Sequence, residues 1–162
     1  MTTAMLVLAL ALSPSQAEKK VTATEKKAFL ELLAKLPTMG EFFTDEAVRK
    51  AFPHTRVLLA LTPKDVEKYD NIYPFLALSR GLLGHKEQRE FGVKHFSTIA
   101  HPEIKLFWGT VLFDEKAASP EIVTFLRAAL ESKEQSKLLS EMLGPSFEDF
   151  KKQVKEYKFK QK

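Results

Sequence analysis

The fold class is decided by two stretches, LSRGLLGHKEQ at residues 78–88 and FLRAALESKEQ at residues 125–135. Each combines apolar residues at helical spacing with a break into a second helical segment. The stretches lie 47 residues apart, and five of their eleven positions are identical, namely one Arg, one Leu and a Lys-Glu-Gln triplet. Both are therefore predicted to form corners between consecutive helices.

The pattern continues outward from these corners as helices separated by short breaks. Towards the N-terminus, Thr22 and Glu25 have the spacing of a capping box, and Thr44 and Thr62 precede further helix starts. Residues 56–61 form an apolar run too short to distinguish a buried strand from a helix. From Pro74 onward we expect helices at about 74–83, 86–98, 102–113, 120–131, 133–143 and 146–158. The predicted fold class is all-α, a single domain over residues 18–158.

Residues 74–158 also resemble the HEAT and armadillo families of α-solenoid repeats. A period of 47 residues built from two or three helices lies in their range. Gln88-Arg89 stands where these families often have an apolar-Arg pair, and Gly92 stands at a small-residue position, whereas Ser136 replaces the Arg in the second copy. The resemblance implies a curved helical scaffold that presents a binding surface and not an active site. An irregular multi-helix bundle is the alternative to a short α-solenoid, because two copies are fewer than a solenoid needs.

The first 17 residues carry none of the chain's charged side chains and contain the apolar run Ala4–Leu12. This run ends in the small-residue triplet Ser15-Gln16-Ala17, which is the layout of a secretory signal peptide, although Met1-Thr2-Thr3 lacks the usual Lys or Arg. Nine residues are too short for a membrane span, which needs about 20. We therefore expect a signal peptide over residues 1–17, cleavage near Ala17–Glu18, and a soluble periplasmic or secreted protein.

Charge and cysteine content restrict the function classes. The chain has no cysteine, which excludes disulfides, thiol nucleophiles and a lipid-bearing cysteine. The net charge of +4 arises in the last twelve residues, which carry six lysines and one glutamate, including a basic tail at 159–162. The remainder is close to neutral, so no nucleic-acid partner is expected. The last predicted helix is typical of one docked on a core, with an interfacial membrane helix as the alternative.

Few residues indicate catalysis, a metal or a cofactor. No phosphate loop, dinucleotide motif, nucleophile elbow or His-Glu-x-x-His pair occurs. His85, His95, His101 and Glu103 could ligate a metal if two helices folded back on each other, but His85 and His101 lie at breaks where a capping histidine is typical. We expect no cofactor, no metal site and no enzymatic activity.

Four residues are candidates for contact with a partner. Arg80 and Arg127 occupy matching positions in the two corners, where they either bind carbonyls inside the fold or line a surface for an acidic partner. Phe107 and Trp108 are adjacent, so a helix would point them about 100° apart. Either Trp108 is an exposed binding residue, or it is core and Phe107 borders the next helix.

These observations predict an exported, non-enzymatic scaffold whose partner is another protein. The alternative is a small periplasmic enzyme or ligand-binding protein with a pocket around His95, Arg80, Tyr73 and Asp70.

Overall fold

The computed structural model describes residues 19–69 and 71–159. The predicted signal peptide, its cleavage site and residues 160–162 of the basic tail lie outside the described residues, as does Asp70.

The described residues form an all-α fold with one small β-hairpin, which confirms the predicted fold class. The α-helices are α1 (Ala23–Lys35), α2 (Asp45–Ala51), α3 (Thr55–Ala60), α4 (Pro63–Val66), α5 (Tyr73–Leu83), α6 (Lys86–Lys94), α7 (Pro102–Asp114), α8 (Pro120–Glu131), α9 (Lys133–Leu143) and α10 (Phe147–Glu156). The strands are β1 (Thr38–Met39) and β2 (Phe42–Phe43). Short 3-10 turns cover Phe52–His54, Phe96–Thr98 and Gly144–Ser146.

Local sequence signals fix most helix starts. The Thr22 hydroxyl accepts the Glu25 amide at 3.1 Å, and the Glu25 carboxylate accepts the Thr22 amide at 2.7 Å, which is the predicted capping box. Thr62 and Asp65 form a second capping box at the start of α4. Both corners are confirmed, because α5 passes into α6 within residues 78–88 and α8 passes into α9 within residues 125–135.

The ambiguous run at 56–61 is helical. Residues 56–60 lie in α3, where Val57, Leu58 and Leu59 are buried, and Leu61 is the extended C-cap of the helix. Strands occur instead at 38–43, where none was predicted: Met39 pairs with Phe42 in an antiparallel hairpin. The turn passes through Gly40 with φ +63°, a left-handed conformation that glycine adopts without a steric penalty.

The core is one contiguous apolar cluster that extends from Phe29 in α1 to Val154 in α10. Helix α7 packs against both α5 and α8 and places Trp108 at the centre. The indole N–H donates to the Ser79 hydroxyl at 2.9 Å, and that hydroxyl donates to the Phe75 carbonyl at 2.7 Å. The one polar atom of the indole is thereby satisfied in an apolar interior.

Among the described residues, no helix combines the length and apolar composition that a bilayer crossing would require.

Candidate functional site

Met39, Tyr73 and Phe42 are the most exposed large apolar side chains of the described residues, and two of them, Met39 and Phe42, lie in the hairpin. Met39 is 74% exposed and Phe42 is 57% exposed. The two residues are direct partners in the strand register, and neighbouring partners of this kind project to the same side of a hairpin. They therefore form an apolar pair that the fold does not cover.

A third exposed apolar side chain lies on helix α5. Strand β2 packs against α5, whose first residue, Tyr73, is 72% exposed. We call Met39 and Phe42 the hairpin surface. Arg80 is exposed as well and lies seven residues after Tyr73, so the two share a stripe of α5 about 10 Å long.

Arg127 has a structural role in the described fold. Its Nε donates to the Val154 carbonyl at 3.1 Å, and its terminal Nη2 donates to the Tyr157 carbonyl at 2.5 Å. These carbonyls lie at the C-terminal end of α10, where helix carbonyls lack intrahelical partners. The guanidinium also lies 5.8 Å from the centre of the Phe159 ring. Of the two interpretations of this arginine, the structure matches the carbonyl-binding one.

The two adjacent aromatic residues of α7 differ in exposure, as expected from the alternative in which Trp108 is core and Phe107 borders the next helix. Trp108 has 0% exposure, so the folded chain cannot present it to a partner, and it leaves the candidate set. Its six-membered ring lies so close to Gly92 that a Cβ built on that glycine would stand 2.5 Å from it. Phe107 is half-buried and packs against the core, so it offers a partner little area.

The alternative pocket is not assembled by the residues that the structure describes. Tyr73 and Arg80 lie on the exposed stripe of α5, whereas His95 ends α6 with its ring 4.3 Å from that of Phe91. Burial, followed by the charge of Lys94, lowers the pKa of His95. Among described residues, these three side chains share no hydrogen bond, and they line neither the groove along α10 nor the groove that contains His101.

The histidines serve local structure. His85 Nε2 lies 3.2 Å from an Asp45 carboxylate oxygen, and its ring packs edge-on against Phe52. His101 Nδ1 accepts the Glu103 amide at 3.2 Å and so caps α7. Within residues 19–69 and 71–159, no three His, Asp or Glu side chains lie close enough to hold a metal ion.

A groove of about 330 Å³ lies between α4, the segment before α5, the start of α7 and α9. Its walls are mainly apolar, its rim carries three carboxylates, and His101 lies within it. The lining residues are Pro63, Val66, Glu67, Tyr69, Asn71, Ile72, His101, Pro102, Glu103, Glu134 and Leu138.

Helix α10 shows the pattern of a docked helix. Phe150 and Val154 are buried, while Lys152 and Lys155 lie on the opposite, exposed face. The apolar face is therefore occupied by the core of the protein itself. Membrane contact through this helix would depend on its lysines and on Tyr157 and Phe159 beyond it.

Two features of this surface were missed by the sequence reasoning. The hairpin strands have two residues each, which is too short for alternation to register, and the available signal was Gly40 between Met39 and Phe42. The groove joins segments up to 75 residues apart in sequence, from Pro63 to Leu138, and no local pattern marks it.

No protein-family model, curated protein or solved structure matches the chain.

Proposed function

We propose that this protein is an exported, non-enzymatic scaffold that binds another protein through the hairpin surface. The observation that carries the proposal is the exposure of Met39 and Phe42 as a cross-strand pair. Single exposed apolar residues are ordinary, but adjacent ones mark interaction sites more often. Methionine and aromatic residues are also enriched at protein interfaces.

The hairpin is held in place, which favours a preformed contact over an adaptable loop. Besides the β1–β2 pairing, the Thr44 amide donates to the Pro37 carbonyl at 3.3 Å and closes the base of the hairpin. Phe43 is half-buried against the core next to the exposed Phe42. A partner would therefore meet an ordered surface and lose less entropy on binding.

Arg80 supplies an exposed charged residue on α5, the helix against which β2 packs. It is exposed on the same stripe of α5 as Tyr73. An arginine on the same helix stripe as an exposed tyrosine suits a partner that offers a carboxylate, because its fork can bind two oxygens.

Binding is tested with a C-terminally tagged chain expressed in the cells that naturally produce it. Proteins recovered with the wild type are quantified against those recovered with the double variant Met39→Ser, Phe42→Ser. We expect at least one protein to be lost from the variant and retained by the control Lys152→Ser, Gln153→Ser on α10. Equal recovery with all three would overturn the assignment of the hairpin surface.

Export is tested separately on the same tagged protein. Cells are fractionated, and the N-terminal sequence of the recovered chain is determined. The proposal expects an extracytoplasmic chain beginning at or near Glu18. A chain beginning at Met1 or Thr2 in the cytoplasmic fraction would overturn it.

A further inference from the structure

His101 gives the groove a polar centre. The side chain is 7% exposed, and its Nδ1 accepts the Glu103 amide. A ring that accepts at Nδ1 carries its proton at Nε2 when neutral. Burial lowers the pKa of His101, which favours this neutral form although the charge of Glu103 opposes the shift.

The Nε2–H group of His101 faces an opening. No described residue forms a hydrogen bond with it, and no side-chain nitrogen or oxygen among the described residues is both fully buried and unpaired. The described residues therefore leave Nε2 neither paired nor fully enclosed, and His101 is one of the residues that line the groove. The groove thus contains the hydrogen-bond donor of His101 in addition to the polar side chains of Tyr69 and Asn71.

The rim of the groove is acidic. Glu67, Glu103 and Glu134 lie around it, and none of them forms an ion pair with another described residue. Elsewhere on the described surface, acidic side chains such as Glu46 and Asp65 pair with lysines at 2.7 Å. The three rim carboxylates therefore make the groove attractive to positive charge.

We propose that this groove binds an extended, lysine- or arginine-rich peptide segment of a partner protein. The backbone of such a segment offers carbonyl acceptors to His101 Nε2–H, and its cationic side chains reach the three carboxylates on the rim. The aliphatic stems of lysine or arginine suit the walls formed by Pro63, Ile72 and Leu138. This inference rests on the proposed function in requiring a protein partner, but it concerns a second surface.

The first test is a peptide titration of the chain from Glu18 to Lys162, in which binding is measured by the chemical-shift changes of the backbone amides in NMR spectra. The probe is an N-acetylated, C-amidated octapeptide of alternating lysine and leucine, and the matched control peptide has glutamate in place of lysine. We expect saturable shifts at residues 67, 101, 134 and 138 with the lysine peptide and none there with the control. No saturation, or shifts confined to α10 or the hairpin, would overturn the proposal.

Charge variants test whether the carboxylates on the rim of the groove contribute to peptide binding. Glu67→Gln with Glu134→Gln removes two rim carboxylates, and we expect about fivefold weaker binding because each solvated ion pair contributes modestly. The matched double variant Glu87→Gln, Glu148→Gln removes the same charge from α6 and α10. Equal weakening by both pairs would show attraction by net charge alone and would overturn the site.

His101→Asn tests the donor without removing the helix cap. Asparagine is a favoured N-cap residue, so α7 keeps its cap and the melting temperature should change little. The variant lacks the Nε2–H donor, and we expect about threefold to tenfold weaker binding of the lysine peptide. Unchanged affinity in a folded variant would overturn the role of His101.

The two proposals can fail independently. If the lysine peptide does not bind but a partner is recovered that depends on Met39 and Phe42, the groove proposal is overturned and the proposed function stands. If the lysine peptide binds but no such partner is recovered, the hairpin assignment is overturned and the groove proposal stands.

Discussion

The two corners of the chain share their sequence pattern but differ in their tertiary roles. In the first corner, residues 78–88, Arg80 is exposed and Gln88 is buried. In the second corner, residues 125–135, Arg127 is bound to carbonyls of the C-terminal segment and Gln135 is half-buried. The identical residues therefore lie in different environments in the two corners.

The difference arises from what packs against each corner. The first meets the N-terminal helices: Thr55 of α3 donates to the Gln88 side chain at 2.6 Å, and Val48 of α2 presses on Gly81. The second meets α10 and the segment that follows it. A shared helix-corner sequence therefore specifies the local turn, whereas the neighbouring elements decide which of its side chains remain available to a partner.

The largest contrast is expected at the repeated glutamine. Gln88→Ala should lower the free energy of unfolding by about 2 kcal/mol, because it removes a buried hydrogen bond and leaves a small cavity. The matching Gln135→Ala should change it by less than about 0.5 kcal/mol. Urea denaturation of both variants measures the difference, and equal losses would contradict the assigned environments.

A smaller contrast is expected at the repeated arginine. Arg127→Met should cost about 1.5 kcal/mol, since it leaves carbonyls at the end of α10 without their donor. Arg80→Met should stay within about 0.5 kcal/mol, because Arg80 is exposed and outside the core. Hydrogen exchange should show faster opening of α10 in the Arg127 variant. Protection of α10 equal to that of the wild type would exclude the bracing role of Arg127.

Position 81 should behave unlike its counterpart, Ala128. A Cβ on Gly81 would stand 2.5 Å from a Val48 methyl group, so Gly81→Ala should destabilise by about 1 kcal/mol despite its better helix propensity. Adding Val48→Ala should make the Gly81→Ala step favourable. At position 128 alanine should be the more stabilising residue, because Ala128→Gly should cost about 1 kcal/mol of stability through helix propensity alone. Thermal unfolding of this set checks the packing, and a stabilising Gly81→Ala single variant would argue against it.

The smallest effect is expected in the pH dependence of the free energy of unfolding. Burial lowers the pKa values of His95 and His101, which follow the first corner, whereas Met142 and Glu148 occupy the corresponding positions after the second. Just below the unfolded value of about 6.5, the unfolded chain binds more protons than the folded one. The free energy of unfolding should therefore decrease as the pH falls from 7 towards 5.5, and less steeply in His101→Asn. Denaturant titrations at both pH values measure the slope, and identical slopes would contradict the assignment.

The sequence was sufficient for features that depend on near neighbours. The capping box at Thr22, the helix start at Thr62 and both corners follow from spacing, since their contacts span three or four residues. Residues 56–61 were ambiguous because a short apolar run suits a buried strand or a helix equally. Whether Trp108 was core depended on Ser79, a residue 29 positions away, so no local pattern could settle it.

The site was less predictable than the fold for the same reason. Arg80 and Arg127 are equivalent in sequence, and the packing of α10 separates them. The hairpin surface and the groove around His101 depend on segments brought together by the tertiary fold.

In the proposed complex, the hairpin surface contacts the partner protein and the exposed face of α8 does not. The most direct measurement is photo-crosslinking in the producing cells with benzoylphenylalanine at position 42 and, as control, at the exposed position 124 on α8. We predict a discrete crosslinked product from position 42 that is absent from position 124. A folded chain that gives no product at position 42, or the same product at both positions, would contradict the account.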